Sequence, residues 1–308
     1  MERLLVTGID LPVGANLALA LADHHEILGI EQRGAVELAG VRTAACDLGD
    51  SRTIAELCRD WRPRWMIHCG PLAAPSWDDS PAASIAEREV RIAADLAGLA
   101  ADLGVRLAVI SSDAVFSGPR MFHTEDSPVA TGQRATQIRN LERALEKSEA
   151  LVLRTHAFGW NGAETSQCFA ERVFAALSQG ASLPLDGRRH ATPILATDLA
   201  LLVARALELR LTGLYHLSGA ERTTPYHFAC ELAAACDLPA PVVGSSVAAT
   251  EAAAADTSLN SRRARRMLEM PSPLVREGLE RFARQRQEGW CERWLSAAAR
   301  LPLREYAA

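Results

Sequence analysis

Short apolar runs recur along this chain, separated by turn residues or by stretches with helical spacing. Leu4–Thr7 reads as a strand; Gly8 then permits a tight turn, and Val13–Leu21 carries helical spacing. Further strands are expected over Glu26–Ile30, Val41–Ala45, Arg64–His68, Leu107–Ile110 and Leu151–Thr155, with another strand and turn over Gly213–Gly219. Helices are expected over Ser84–Ala101, Ala170–Leu177 and Tyr226–Cys236, the last opened by Thr224-Pro225 with proline in its first turn. Val275, Leu279, Phe282, Trp290 and Trp294 keep helical spacing after Ser272-Pro273, which predicts one or two amphipathic helices at the C-terminus. Strands alternating with helices predict an α/β fold with a parallel, doubly wound sheet.

Composition narrows the class. The 308 residues are 48% hydrophobic and 23% charged, ordinary for a globule with a large core, and the net charge of -5 gives no basic field for nucleic acid. Seven cysteines are scattered with no Cys-x-x-Cys, which predicts free thiols in a reducing cytoplasm. No apolar run reaches membrane-spanning length and the N-terminus runs straight into a strand, so neither anchor nor signal peptide is expected. The histidines show no zinc-like spacing, so no metal site is expected. Lys147 is the only lysine.

Two stretches carry candidate chemistry. In open α/β sheets ligands bind beyond the carboxyl ends of the strands. Ser111-Ser112-Asp113 ends the Leu107–Ile110 strand, where a hydroxyl either meets a substrate carbonyl or satisfies the backbone. The first strand runs into Gly8-Ile9-Asp10-Leu11-Pro12-Val13-Gly14, the strand, turn and helix that open a dinucleotide fold. Asp10 is expected to cap that helix, and its charge disfavours a phosphate there. Glu31 ends the second strand, where an acid bonds an adenosine ribose and favours NAD; Arg33 nearby is the alternative for a 2′-phosphate.

Val109-Ile110-Ser111-Ser112-Asp113-Ala114-Val115-Phe116-Ser117-Gly118 resembles the strand and loop of the extended short-chain dehydrogenase/reductases, most closely the dTDP-4-dehydrorhamnose reductase family. The resemblance spans roughly residues 1–285 and implies a Rossmann-type sheet with a smaller C-terminal substrate lobe. It divides the chain into a dinucleotide-binding domain, 1–155 with 195–218 returning to it, and a lobe of 156–194 and 219–308. It implies NAD or NADP as cofactor, held by Gly8, the Leu11 position, Gly14, Glu31, Asp47 and Leu48, and substrate contacts from His156, Thr192 and Pro193. It gives Ser112 the place of a hydroxyl that assists catalysis. Asp256–Asn260 resembles a segment near the family's sugar-nucleotide pocket.

The chain departs from that pattern where chemistry is done. Leu11 replaces the glycine that lets backbone approach a pyrophosphate, and Pro71 removes a backbone donor. The family's Tyr-x-x-x-Lys supplies its acid-base pair. Aligned on Thr131-Gly132, the lysine place falls on Ala135; aligned on Glu142, the pair becomes Arg134 and Ile138. Neither gives tyrosine or lysine, and Tyr215, Tyr226 and Tyr306 have no lysine four residues on. A catalytically degenerate protein that binds a nucleotide, a nucleotide sugar or a protein partner is therefore expected, as the regulatory β subunit of methionine adenosyltransferase does on a similar fold. The alternative is an active NAD(P)-dependent oxidoreductase on a 4-keto sugar nucleotide, with His123, His156 or His190 as substitute acid. Trp290 and Trp294 are expected to pack on the chain's own core, with a homo-oligomer contact as the alternative. The Arg262, Arg263, Arg265, Arg266 cluster is expected to be a solvated helix face.

Overall fold

The computed structural model describes residues 1–32, 36–79, 81–161, 167–241 and 255–295. Arg33 and most of the Ala-rich stretch 248–255 lie outside the described residues. In chain order the elements begin β1 (Arg3–Thr7), α1 (Pro12–Leu21), β2 (Glu26–Glu31), β3 (Glu37–Leu38), β4 (Arg42–Ala45), α2 (Ser51–Trp61), β5 (Trp65–His68) and α3 (Ala83–Leu103). There follow β6 (Arg106–Ser112), α4 (Gln133–Leu145), β7 (Leu151–Thr155), β8 (Ala157–Phe158), α5 (Phe169–Ser178), β9 (Ile194–Leu195) and α6 (Ala196–Glu208). The chain continues with β10 (Gly213–His216), α7 (Pro225–Ala235), α8 (Arg262–Leu268), α9 (Val275–Gln287) and β11 (Trp294–Leu295).

The main sheet has the order β10-β7-β6-β5-β1-β2-β4, and all its neighbours are parallel. Its central strands are buried on both faces, with β5 and β7 buried at every position. That explains why they read as unbroken apolar runs rather than alternating ones. Helices α1 and α6 pack together on one face, and α2, α3 and α4 on the other. A third core, with Trp77, Phe158, Trp160, Phe228 and Phe282, joins α5, α7 and α9 beside the sheet. Strand order reverses at β1, so the ends of β1 and β5 open the crevice where such sheets bind ligands.

Two expectations need correction. Asp10 is not the cap residue of α1: that position is Leu11, extended at φ -113° and ψ 150°, whose own side chain makes no capping hydrogen bond. Proline at the first helical position forces the residue before it to be extended, which moves the boundary onto Leu11. Trp290 and Trp294 are not helical. Helix α9 stops at Gln287, and Gly289 follows with φ +75°, a left-handed turn that ends helices. Trp294 then lies in β11, antiparallel to β3. Both tryptophans pack against the chain's own core. The arginines of α8 are exposed, with Arg263 lying over the Tyr215 ring.

Candidate functional site

The turn between β1 and α1 is built by contacts within the chain. Gly8 has φ +71°, and a Cβ there would overlap the Cys69 carbonyl at the end of β5. A Cβ on Gly14 would overlap the Gly8 carbonyl. Packing of strand, turn and helix therefore accounts for both glycines. Leu11 lines the crevice itself, a cavity of about 490 Å³ also lined by Pro12, Gly70, Ala74, Pro75, Asp78, Cys168 and Arg172.

The other expected cofactor residues lie apart from this cavity's wall. Glu31 ends β2 and is buried. Asp47 accepts a hydrogen bond from the Gly49 amide at 2.8 Å and pairs with Arg88, while Leu48 is in the core. Beneath the turn lies a network that the sequence did not reveal. Thr7 Oγ1 bonds His68 Nδ1 at 2.7 Å, and His68 Nε2 bonds Glu89 Oε1 at 2.7 Å, all three side chains buried. Glu89 packs so closely on Gly70 that a Cβ there would overlap its carboxylate. Only tertiary packing joins β1, β5 and α3 at this point.

Ser112 is fully buried. Its Oγ donates to the Ala74 carbonyl at 2.6 Å and accepts from the Ala114 amide at 3.1 Å. Arg134, in the first turn of α4, meets the same segment. Its Nη2 donates to the Ala74 and Pro75 carbonyls and its Nη1 to the Asp78 carbonyl, each at 2.8 Å. Ile138, one turn on, is fully buried in the core. Thr131, from the other alignment, is exposed and precedes the helix, and Ala135 is buried.

Behind Ser112, Asp113 gathers a polar cluster. Its carboxylate accepts from Ser76 N at 2.9 Å, Ser76 Oγ at 2.7 Å and Thr257 Oγ1 at 2.5 Å, and lies 2.7 Å from His156 Nδ1. Burial would raise the Asp113 pKa, but His156 and these hydrogen bonds outweigh it and hold the carboxyl below its ordinary value. His156 is buried edge-on against Trp77 at 4.5 Å. Thr192 Oγ1 accepts from the Leu259 amide, and a Cβ on Gly219 would overlap the Pro193 carbonyl. His156, Thr192 and Pro193 thus contact other parts of the chain and do not line the cavity. Thr257 and Ser258, from the Asp256–Asn260 segment, are likewise bonded within the chain, Thr257 to Asp113 and Ser258 Oγ accepting from the Phe122 amide at 2.7 Å.

Asp78 has its pKa raised by burial, opposed by Arg172 at 3.2 Å. Glu171, on α5, accepts from Asn161 N at 2.6 Å and Cys168 N at 3.1 Å, and burial pushes it up to about 7. Burial also raises the Cys69 thiol, which disfavours its thiolate form. The remaining histidines proposed as acids are engaged. His123 stacks on Phe116 at 4.2 Å with its pKa lowered by burial, and His190 Nδ1 lies 2.9 Å from the Arg188 carbonyl. Among the described residues no cluster of His, Cys, Asp or Glu could hold a metal ion, and no helix is long and apolar enough to cross a membrane.

Comparison with known proteins agrees with this architecture. The chain is 29% identical over 222 residues to methionine adenosyltransferase 2 subunit beta of Xenopus laevis, covering 68% of this chain and 66% of that one. It is 28% identical over 215 residues to the same protein of Rattus norvegicus, covering 65% of this chain and 64% of that one. The match thus spans less than two thirds of these relatives' length. Among solved structures it superposes on a hypothetical dTDP-4-dehydrorhamnose reductase from Sulfolobus tokodaii with a TM-score of 0.73 and 22% identity, covering 90% of this chain and 99% of that one. A dTDP-4-dehydrorhamnose reductase from Bacillus anthracis in complex with NADP gives a TM-score of 0.74 and 19% identity, covering 92% and 98%. The model of the RmlD substrate binding domain matches residues 1–288, and the chain belongs to that family.

Proposed function

We propose that this chain is a catalytically degenerate member of its family, a protein that binds a nucleotide or nucleotide sugar in the crevice and serves as a regulatory subunit. The observation that carries the reading is Arg134. Aligned on Glu142, it stands where a reductase has its tyrosine, and Ile138 stands in place of the lysine. A guanidinium stays protonated near neutral pH and cannot return a proton to a substrate oxygen. Ile138 is buried and has no charge to lend.

The cofactor question divides the same way. The glycines retained at the turn, Gly8 and Gly14, are those that chain packing requires. The one replaced, by Leu11, is the one that a pyrophosphate requires. At the nicotinamide end the residues present do not fit: the Ser112 hydroxyl is taken up by the Ala74 carbonyl. Hydride transfer therefore has no support from the residues of this site. The regulatory half of the reading is supported by the curated relatives, whose name makes them subunits of an assembly.

Thermal-shift titrations with NAD, NADH, NADP and NADPH, then NADH and NADPH oxidation with a 4-keto sugar nucleotide, test the reading. A ligand that binds only the native state raises its melting point. The expected outcome is no turnover, and stabilisation by a dTDP-sugar exceeding that by any reduced dinucleotide. Measurable turnover that falls on Ser112→Ala would end this reading in favour of an oxidoreductase. The partner is tested by gel filtration with a methionine adenosyltransferase catalytic subunit, where co-elution is expected.

A further inference from the structure

We propose that Arg134 is an internal latch, holding Ala74–Asp78 across the reacting position so that a nicotinamide ring is kept out of the cleft. This deepens, and rests on, the degenerate reading above. All three hydrogen bonds of the guanidinium go to main-chain carbonyls, those of Ala74, Pro75 and Asp78. A tyrosine hydroxyl at this place has one proton to give; the planar fork of arginine reaches several carbonyls at once. Ser112 Oγ closes on the Ala74 carbonyl from the end of β6, so the two positions that a reductase uses on its substrate converge here on one backbone oxygen. The segment is anchored along its length. Ser76 is bonded through both its amide and its hydroxyl to Asp113. The Asp78 carboxylate accepts from the Phe169 amide at 2.6 Å.

The other side of this segment is a cavity wall. Ala74, Pro75 and Asp78 line the crevice at the N-terminus of α1, while Arg134 is not among its lining residues. Arg134 therefore grips the wall from behind. It is a positioning residue: it sets the shape of the cavity without touching what enters it. Release of the grip frees the Pro75 and Asp78 carbonyls and leaves the Ser112 hydroxyl as the remaining side-chain hold on the Ala74 carbonyl, which loosens the wall toward the space a dinucleotide's reactive end needs.

The test compares the full chain with Arg134→Ala, Arg134→Lys and Ser112→Ala by hydrogen exchange and by NADH fluorescence titration. In Arg134→Ala the amides of Ser76, Trp77 and Asp78 should exchange at least about tenfold faster, with β5 and β6 unchanged, and NADH should bind at least about tenfold more tightly. Arg134→Lys, which can reach fewer carbonyls, should fall between. Unchanged exchange at Ser76–Asp78 in a folded Arg134→Ala overturns the latch. So does exchange raised equally through β5, β6 and β7, and so does faster local exchange with no gain in NADH affinity. If Arg134→Ala does not fold, Arg134→Lys and Ser112→Ala decide: faster exchange confined to residues 74–78 supports the latch, and none removes it. Turnover of a ketone by the unaltered chain would sink the degenerate reading and leaves the exchange result to stand or fall separately.

Discussion

Arg154 and Glu142 form a buried pair that shows how much depends on single side chains. Arg154 donates from Nε at 2.7 Å and from Nη2 at 2.6 Å to Glu142, which also accepts from Ser111 Oγ at 2.9 Å. Both are buried, so removal of Arg154 leaves the Glu142 carboxylate in the core facing only the more distant Arg139 at 3.6 Å. Arg154→Met should cost about 3–5 kcal/mol in denaturant unfolding, and Arg154→Met with Glu142→Leu should recover most of it. His216 lies 3.3 Å from Arg154, and burial first, then that guanidinium, lowers its pKa to about 3. Its folded pKa lies below the unfolded one, so its contribution is complete above about pH 6.5 and is lost as pH falls toward 3. Glu171 runs the other way. Burial raises it from 4.5 to about 7, so its contribution is complete below 4.5 and is lost as pH rises through 7. Glu171→Gln should therefore gain on the unaltered chain by up to ~1.4 kcal/mol per pH unit across that window, read from thermal melts at pH 4.5 and 8. None of these partners was legible beforehand. Glu142 is twelve residues from Arg154 and His216 is 62, and nothing in sequence spacing joins them.

Elements were legible where their signals are local. Thr224-Pro225 opens α7 as its sequence implies, with Thr224 Oγ1 accepting from the His227 amide. Proline and glycine also account for both boundary errors: Pro12 shifts the cap of α1 to Leu11, and Gly289 ends α9 before Trp290. The consequence at Trp290 is a link between elements. Its Nε1 donates at 3.0 Å to Asn16 Oδ1 on α1, and Asn16 Nδ2 donates to the Pro12 carbonyl at 2.7 Å and the Trp160 carbonyl at 2.6 Å. Trp290→Phe keeps the ring and removes the donor, so it should lower unfolding free energy by about 1 kcal/mol. A loss near zero would mean that water serves Asn16 equally well.

For the whole molecule, the alternation of strands and helices was enough to determine a parallel, doubly wound sheet, because strands buried on both faces must be apolar throughout. The absence of a Tyr-x-x-x-Lys pair was equally settled by the sequence, since a side chain that is not encoded cannot move a proton. The short pairing of β3 with β11 was not legible: two-residue strands carry no periodicity. Nor was the fate of Ser112, whose hydroxyl reads the same whether it faces a substrate or a carbonyl. Sequence alone thus determined the fold and the loss of the acid-base pair, both consequences of which side chains exist and in what order. Tertiary structure alone decided that Ser112 and Arg134 close on Ala74, and that His68 bridges Thr7 and Glu89. Those contacts join residues from 21 to 61 positions apart in the chain, and only the packed sheet and helices bring them within hydrogen-bond reach.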